Sequence, residues 1–134
     1  MSSDNNPPQF SVYIKDFCNM VDGAKRDYAW NRDEVNRLDR LTQDYLHMLE
    51  LDHLDYRERA KIATKIMKCR QERRASKDTA ETLEPLIQFL DSDKGRNMMN
   101  LMREVQGKTR RVEERMANRT YHYKVYKPPG GEDG

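Results

Sequence analysis

The chain has 134 residues, enough for one domain with tails, and carries 25 basic and 23 acidic side chains for a net charge of +2. Apolar and charged residues each make up 36%, with a mean hydropathy of −1.11. That mixture disfavours a sphere with a thick core and favours a thin helical assembly in which each helix buries one stripe. No apolar run approaches the roughly 18 residues of a membrane span, and the amino end MSSDNNPPQF lacks the basic-then-apolar build of a signal peptide. The expectation is a cytoplasmic protein of its host cell, with no membrane partner.

The charge is segregated. Residues 1–55 hold 6 basic and 11 acidic side chains, whereas residues 56–78 hold 9 and 3 and residues 95–127 again 9 and 3. Either the opposite charges complement each other across packed helices, or the basic segments present a stripe to phosphates or to an acidic protein.

In chain order, residues 1–8 read as a disordered tail rich in Ser, Asp, Asn and Pro. A helical domain follows over 9–118. Phe10, Ile14, Phe17, Val21, Ala24 and Tyr28 step alternately by four and three, and the stepping continues through Val35, Leu38, Tyr45 and Leu49, with Asn31 and Thr42 as polar members. A second series runs Ile62, Ile66, Cys69, Arg73, Ser76, Ala80, Leu83, Ile87, Leu90, and a third Met98, Met102, Val105, Thr109, Val112, Met116. Such stepping keeps one seam facing a neighbour, as in coiled coils. Gly23 and Pro85 interrupt the first two series, at costs of about 1 and about 3 kcal/mol in a helix interior. Asp55 with Glu58 fits a capping box after a tight turn. The pattern predicts helices near 9–21, 30–52, 55–81, 83–92 and 95–118, some of them fused.

A chain doubled back near residues 53–54 pairs positions whose numbers sum to about 107. Tyr45 then faces Ile62, Leu38 faces Cys69 and Phe17 faces Leu90. The fold class is all-α: an elongated antiparallel helical hairpin or bundle with coiled-coil-like seams and an extended tail. Residues 119–134 form that tail, in which TYHYKVYK alternates and favours an extended conformation. A thin hairpin leaves the third helix little to cover, which points to a homodimer.

The stretch CRQERRASKD puts Arg73 on the second seam. In the register above it lies opposite the Asn31–Glu34 region, with Asp33 and Glu34 as carboxylates near enough to pair, and Asn31 faces Ser76. A polar layer of this kind fixes register at some cost in stability. Lys68, Arg70, Arg74 and Lys77 cannot share that seam and belong to the outer surface. Lys108, Arg110, Arg111, Arg115 and Arg119 repeat the pattern, and Tyr121, Tyr123 and Tyr126 follow. Charge runs of this kind are usually solvated faces. As a site, these twelve residues would bind a protein, a nucleoprotein complex or nucleic acid, with phosphate contacts and stacking platforms.

Nothing in the sequence supports catalysis or a cofactor. His47, His53 and His122 are not at metal-binding spacing. DSDKG opens like a calcium loop, but its glycine comes one position early and Met102 stands where a bidentate carboxylate is needed; Asp91 and Asp93 read instead as helix-boundary residues. Cys18 and Cys69 form no CxxC pair and read as buried free thiols. Met98, Met99 and Met102 read as core packing.

The segments YRERAKI, RQERRASKD and LEPLIQFL, followed by REVQGKTRRVEERMANRTY, resemble small helical proteins of unassigned role encoded by phages of Gram-positive bacteria, over residues 54–121. The resemblance implies an all-helical, non-enzymatic accessory protein that binds host machinery, including defence nucleases such as CRISPR effectors, and inhibits or modulates it. Direct RNA or DNA binding and self-assembly are the alternatives.

Overall fold

A computed structural model describes residues 9–120, 122–127 and 129. The expected tail 1–8 and most of 128–134 lie outside them. Three helices account for the domain: α1 (Phe10–Leu51), α2 (Tyr56–Asp91) and α3 (Asp93–Ala117). At 1.5 Å per residue, α1 is about 63 Å long.

The turn after α1 is short. Asp52 closes α1 through its N–H to the Met48 carbonyl, and Asp55 caps α2, its carboxylate accepting the Glu58 N–H at 2.8 Å. The two helices then pair along the expected seam. Leu38, Thr42, Ile62, Cys69, Ser76 and Ala80 are buried, while Val35, Tyr45, Ile66, Leu83 and Ile87 are half-buried. Partners move back along α1 as they move forward along α2: Lys65 lies over the Tyr45 ring, Arg73 pairs with Asp39, and Leu90 packs with Val21.

Gly23 and Pro85 do not split the hairpin, and the fusion that the sequence leaves open is what occurs: 9–21 runs on into 30–52, and 55–81 into 83–92. Pro85 is exposed, so the Glu81 carbonyl that loses its N–H partner faces water, where the penalty is smallest. Apolar pairing on both sides of the two residues outweighs their local cost.

At Ser92 α2 hands over to α3. The Ser92 N–H donates to the Phe89 carbonyl at 3.1 Å, and its Oγ accepts the Gly95 N–H at 3.1 Å. Asp91 and Asp93 are the helix-boundary residues that the sequence indicates. Gly95 is buried, and a Cβ there would lie 1.9 Å from the Phe89 carbonyl oxygen. Only glycine lets the first turn of α3 sit this close to the last turn of α2.

The α3 helix then runs antiparallel to α1, across its amino-terminal third. Met99 packs with Cys18 and Val21, Arg103 bonds Asp22 at 3.2 Å, and Glu113 reaches Ser11. The face of α3 that packs is Gly95, Met99, Met102, Gln106, Thr109 and Glu113. It lies beside the apolar series expected from the sequence: Val105, Val112 and Met116 are exposed. The close approach at Gly95 and the anchor at Glu113 set this rotation, and neither residue is apolar. Met98, Met99 and Met102 do serve the core.

Among the described residues of the tail there is no strand. Residues 124–125 form a bend, and the Tyr123 and Tyr126 rings meet edge to face at 5.7 Å. Among the described residues no neighbouring strand offers a ladder.

Two glycines separate close approach from helix propensity. At Gly107 an added Cβ would meet nothing within 4 Å, so Gly107→Ala should stabilise by up to about 1 kcal/mol. Gly95→Ala should instead destabilise by about 1–3 kcal/mol through overpacking. Urea unfolding midpoints check both; a gain from Gly95→Ala would contradict the packing at the α2–α3 junction.

Candidate partner-binding surface

Helical geometry decides which cations share a face. Arg70, Arg74 and Lys77 recur at four- and three-residue spacing on one flank of α2. All three are exposed, and with Arg73, Asp78 and Glu81 they line one shallow recess. Lys68 is also exposed but lies on the opposite flank, about 160° around the helix from Arg70.

Arg73 joins the two helices at this level. It is half-buried, and its Nε donates to the Asp39 carboxylate at 2.5 Å. The partner is therefore Asp39 rather than Asp33 or Glu34. Side chains lean toward the amino end of their own helix, so Arg73 reaches toward the interhelical turn while Asp39 leans away from it, and the two meet. Glu34 is engaged instead by Arg37, at 2.6 and 2.9 Å. The Arg37 bond lowers the Glu34 carboxyl below its ordinary value. Asn31 turns its amide to the Asp27 carbonyl of its own helix, and Ser76 is buried across the seam. The polar layer thus consists of one interhelical ion pair and two seam residues.

Sequence reasoning missed Arg32. A second recess beside the first is lined by Tyr28, Arg32 and Asn36 of α1 together with Arg73, Lys77 and Glu81 of α2. Arg32 donates to the Tyr28 hydroxyl at 3.0 Å and lies 5.6 Å from the centre of that ring. The Tyr28 hydrogen bond raises the already high pKa of Arg32, so the cation is permanent. The acidic balance of residues 1–55 hides this arginine; only the hairpin register places it beside Lys77. Carboxylates interrupt the patch: Glu81 approaches Lys77 at 3.9 Å.

The expected cations of α3 fall on two sides of the helix. Arg110 stands 3.8 Å from Glu114 and lines the groove between α1 and α3 with Lys15 and Gln106. Lys108, Arg111 and Arg115 recur at three- and four-residue spacing, so they share one exposed flank that borders the apolar residues and is turned from the packed face. Arg119, just past the helix, touches the Met116 sulfur at 3.6 Å. Tyr123 and Tyr126 are exposed, and Tyr121 lies outside the described residues. Of the twelve expected site residues, the structure brings together Arg70, Arg74 and Lys77 on α2, Lys108, Arg111 and Arg115 on one flank of α3, and the Tyr123 and Tyr126 rings in the tail.

Near the other end of the domain, Glu113 caps α1. No side chain of α1 caps its own amino end, and its first turn holds no acid. The Glu113 carboxylate accepts the Ser11 N–H at 3.1 Å and the Ser11 hydroxyl, supplying charge where the helix dipole favours it. The Ser11 hydroxyl, then its backbone N–H, lowers the Glu113 carboxyl below its ordinary 4.5.

Among the described residues, no group of three or more His, Cys, Asp or Glu side chains is placed to hold a metal ion, and no helix is long and apolar enough to cross a membrane. Cys18 and Cys69 are free and buried. Compared with family models, curated proteins and solved structures, the chain matches none.

The Glu113 cap has a pH sign. Its folded pKa lies below the unfolded one, so its contribution is full above the ordinary carboxylate range and is lost as pH falls through the folded value. Glu113→Gln at neutral pH should lower amide protection, measured against the intrinsic exchange rate at each pH, across 106–117 while leaving the α1–α2 seam protected, and acid should lower it in the same segment of the unaltered chain. Unchanged exchange in both cases would contradict the docking of α3 through this carboxylate.

Proposed function

We propose that this chain is a non-enzymatic accessory protein that acts by docking on an acidic protein surface, such as that of a host nuclease or nucleoprotein, and inhibits or modulates it. The observation that carries this reading is the patch formed by Arg32, Arg70, Arg73, Arg74 and Lys77 across two helices. Five cations converge there, and Arg70 and Arg74 are exposed on a rigid helix. The resemblance of residues 54–121 to small phage proteins supports the accessory role, including an anti-defence one directed at CRISPR effectors.

The form of the patch favours a protein over a nucleic-acid backbone. Phosphates repeat at regular intervals and reward a continuous cationic track. Here Glu81 and Asp78 sit among the cations, and α3 adds no cation to the recesses that hold this patch. Discrete cations beside discrete acids match an irregular protein surface, where such complementarity steers association and selects partners.

A second reading, direct RNA or DNA binding, rests on the tail, where Tyr123 and Tyr126 adjoin Lys124 and Lys127. Aromatic rings beside cations offer stacking and phosphate contacts to single strands.

Capture from a lysate of Gram-positive bacteria, with and without nuclease treatment, separates the two. A partner that survives nuclease treatment and binds about tenfold more weakly to Arg70→Glu/Arg74→Glu supports the proposal, with Lys68→Glu, on the other flank, as the variant that still binds. Equal capture by the double variant would remove the patch from the site. Loss of the partner on nuclease treatment would favour the second reading, which also requires affinity to fall steeply with salt.

A further inference from the structure

The α1–α2 seam does not stop where α2 stops. Leu90 is the last α2 residue buried on it, in one cluster with Cys18 and Val21. Upstream of that level, α1 continues for two more turns with the same spacing, through Phe10, Tyr13, Ile14 and Phe17. Phe10 and Tyr13 are 58% and 60% exposed, and Phe17 is 37% exposed.

The α3 helix presents a matching face. Its polar side, with Gln106, Arg110 and Glu114, lines the groove against Gln9, Ser11 and Lys15. By helical spacing Val105, Val112 and Met116 lie on the opposite side, continuing the line of Met98, which packs beside Ile87 of α2. These three are 45%, 40% and 51% exposed. Beyond the end of α2, then, α1 and α3 form a two-helix layer with one shared apolar face, and none of the described residues covers it.

We infer that this face is covered by a second copy of the chain, so that α1 and α3 of two copies form a four-helix bundle. Three observations select that occupant. The first is what the chain itself lacks. Residues 1–8 and 130–134 offer little apolar surface, since only Met1, Pro7 and Pro8 among them have apolar side chains. In the described part of the tail, Arg119 reaches only the edge of the face at Met116, and Val125 is 92% exposed.

The second is area. Large apolar side chains expose up to roughly 150–250 Å², so the six exposed residues, Phe10, Tyr13, Phe17, Val105, Val112 and Met116, leave on the order of 500 Å² open per copy. A two-fold pairing removes about twice that, close to the 1,000 Å² or so a specific interface needs, and a patch of this size is at the upper end for a monomer.

The third is charge on the rims. In a two-fold arrangement whose axis runs along the helices, α1 of each copy lies beside α3 of the other, antiparallel to it and at the same level as its own α3. Ser11 is level with Glu113, which puts Asp16 level with Lys108. Asp16 and Lys108 are exposed, on the outer rims of their helices, so each Asp16 meets Lys108 of the second copy. The cationic patch of Arg70, Arg74 and Lys77 lies about 20–30 Å further along the hairpin and stays free. This inference does not rest on the proposed docking function.

Sedimentation equilibrium of the full chain across a concentration series tests it, with circular dichroism on every variant. The expected result is a particle of twice the 16.0 kDa chain mass. Val105→Glu/Val112→Glu should convert it to monomer at unchanged helicity, because both side chains are exposed in the single chain. Tyr13→Lys, on the other wall, is the second variant should the first lose helicity. Asp16→Lys and Lys108→Glu should each weaken the dimer several-fold, and their combination should restore it. A monomer at every concentration would overturn the inference, as would a dimer unaffected by both wall variants.

Discussion

The pairing of α1 with α2 along one seam is the constraint on which the other features depend. It is narrow: Leu38 and Leu90 are the only large side chains almost wholly enclosed among the described residues, and small or polar residues such as Thr42, Ser76 and Ala80 fill much of the rest. Burial of that kind yields little per residue, so the seam gains stability through length, as a coiled coil does. Its register also sets the surface. Arg73 can reach Asp39 only if α2 lies at this height along α1, and the same height brings Arg32 beside Lys77.

The α3 helix is held differently. Its apolar contribution centres on Met99, with Met98 and Met102 beside it, and its far end is anchored by polar contacts, Arg103 to Asp22 and Glu113 to Ser11. A helix held by methionines and carboxylates leaves its own Val and Met residues facing out. Two kinds of surface result: a cationic patch midway along the hairpin, and an apolar face at the end that α2 does not reach.

The hairpin was legible because its signal is apolar and periodic. Leu38, Cys69 and Leu90 are buried on the seam that four-and-three spacing lays out, although Leu90 packs with Cys18 and Val21, about one turn from the Phe17 that the turn position assigns to it, and the Asp55 cap follows from its spacing to Glu58. Continuity through Gly23 and Pro85 was left open by the sequence, since local cost is visible there whereas the solvent exposure of Pro85 is not. The rotation of α3 was hidden for a related reason: the residues that set it, Gly95 and Glu113, contribute no hydrophobic pattern, and Ser11 and Glu113 stand 102 positions apart. Of the site, the Arg70–Arg74–Lys77 line could be read from helical spacing. Arg32 could not, because it comes from the acidic half. The partner of Arg73 was missed because pairing by backbone level ignores the opposite lean of side chains on two antiparallel helices.

The register of the hairpin is tested most directly by nuclear Overhauser contacts among methyl groups. Cross-peaks are expected from the Leu38 methyls to α2 side chains near Cys69, and from the Val21 methyls to those of Leu90. Cross-peaks from Leu38 confined to α1 and α3, or a Val21 pairing with residues near Ile62, would contradict that register.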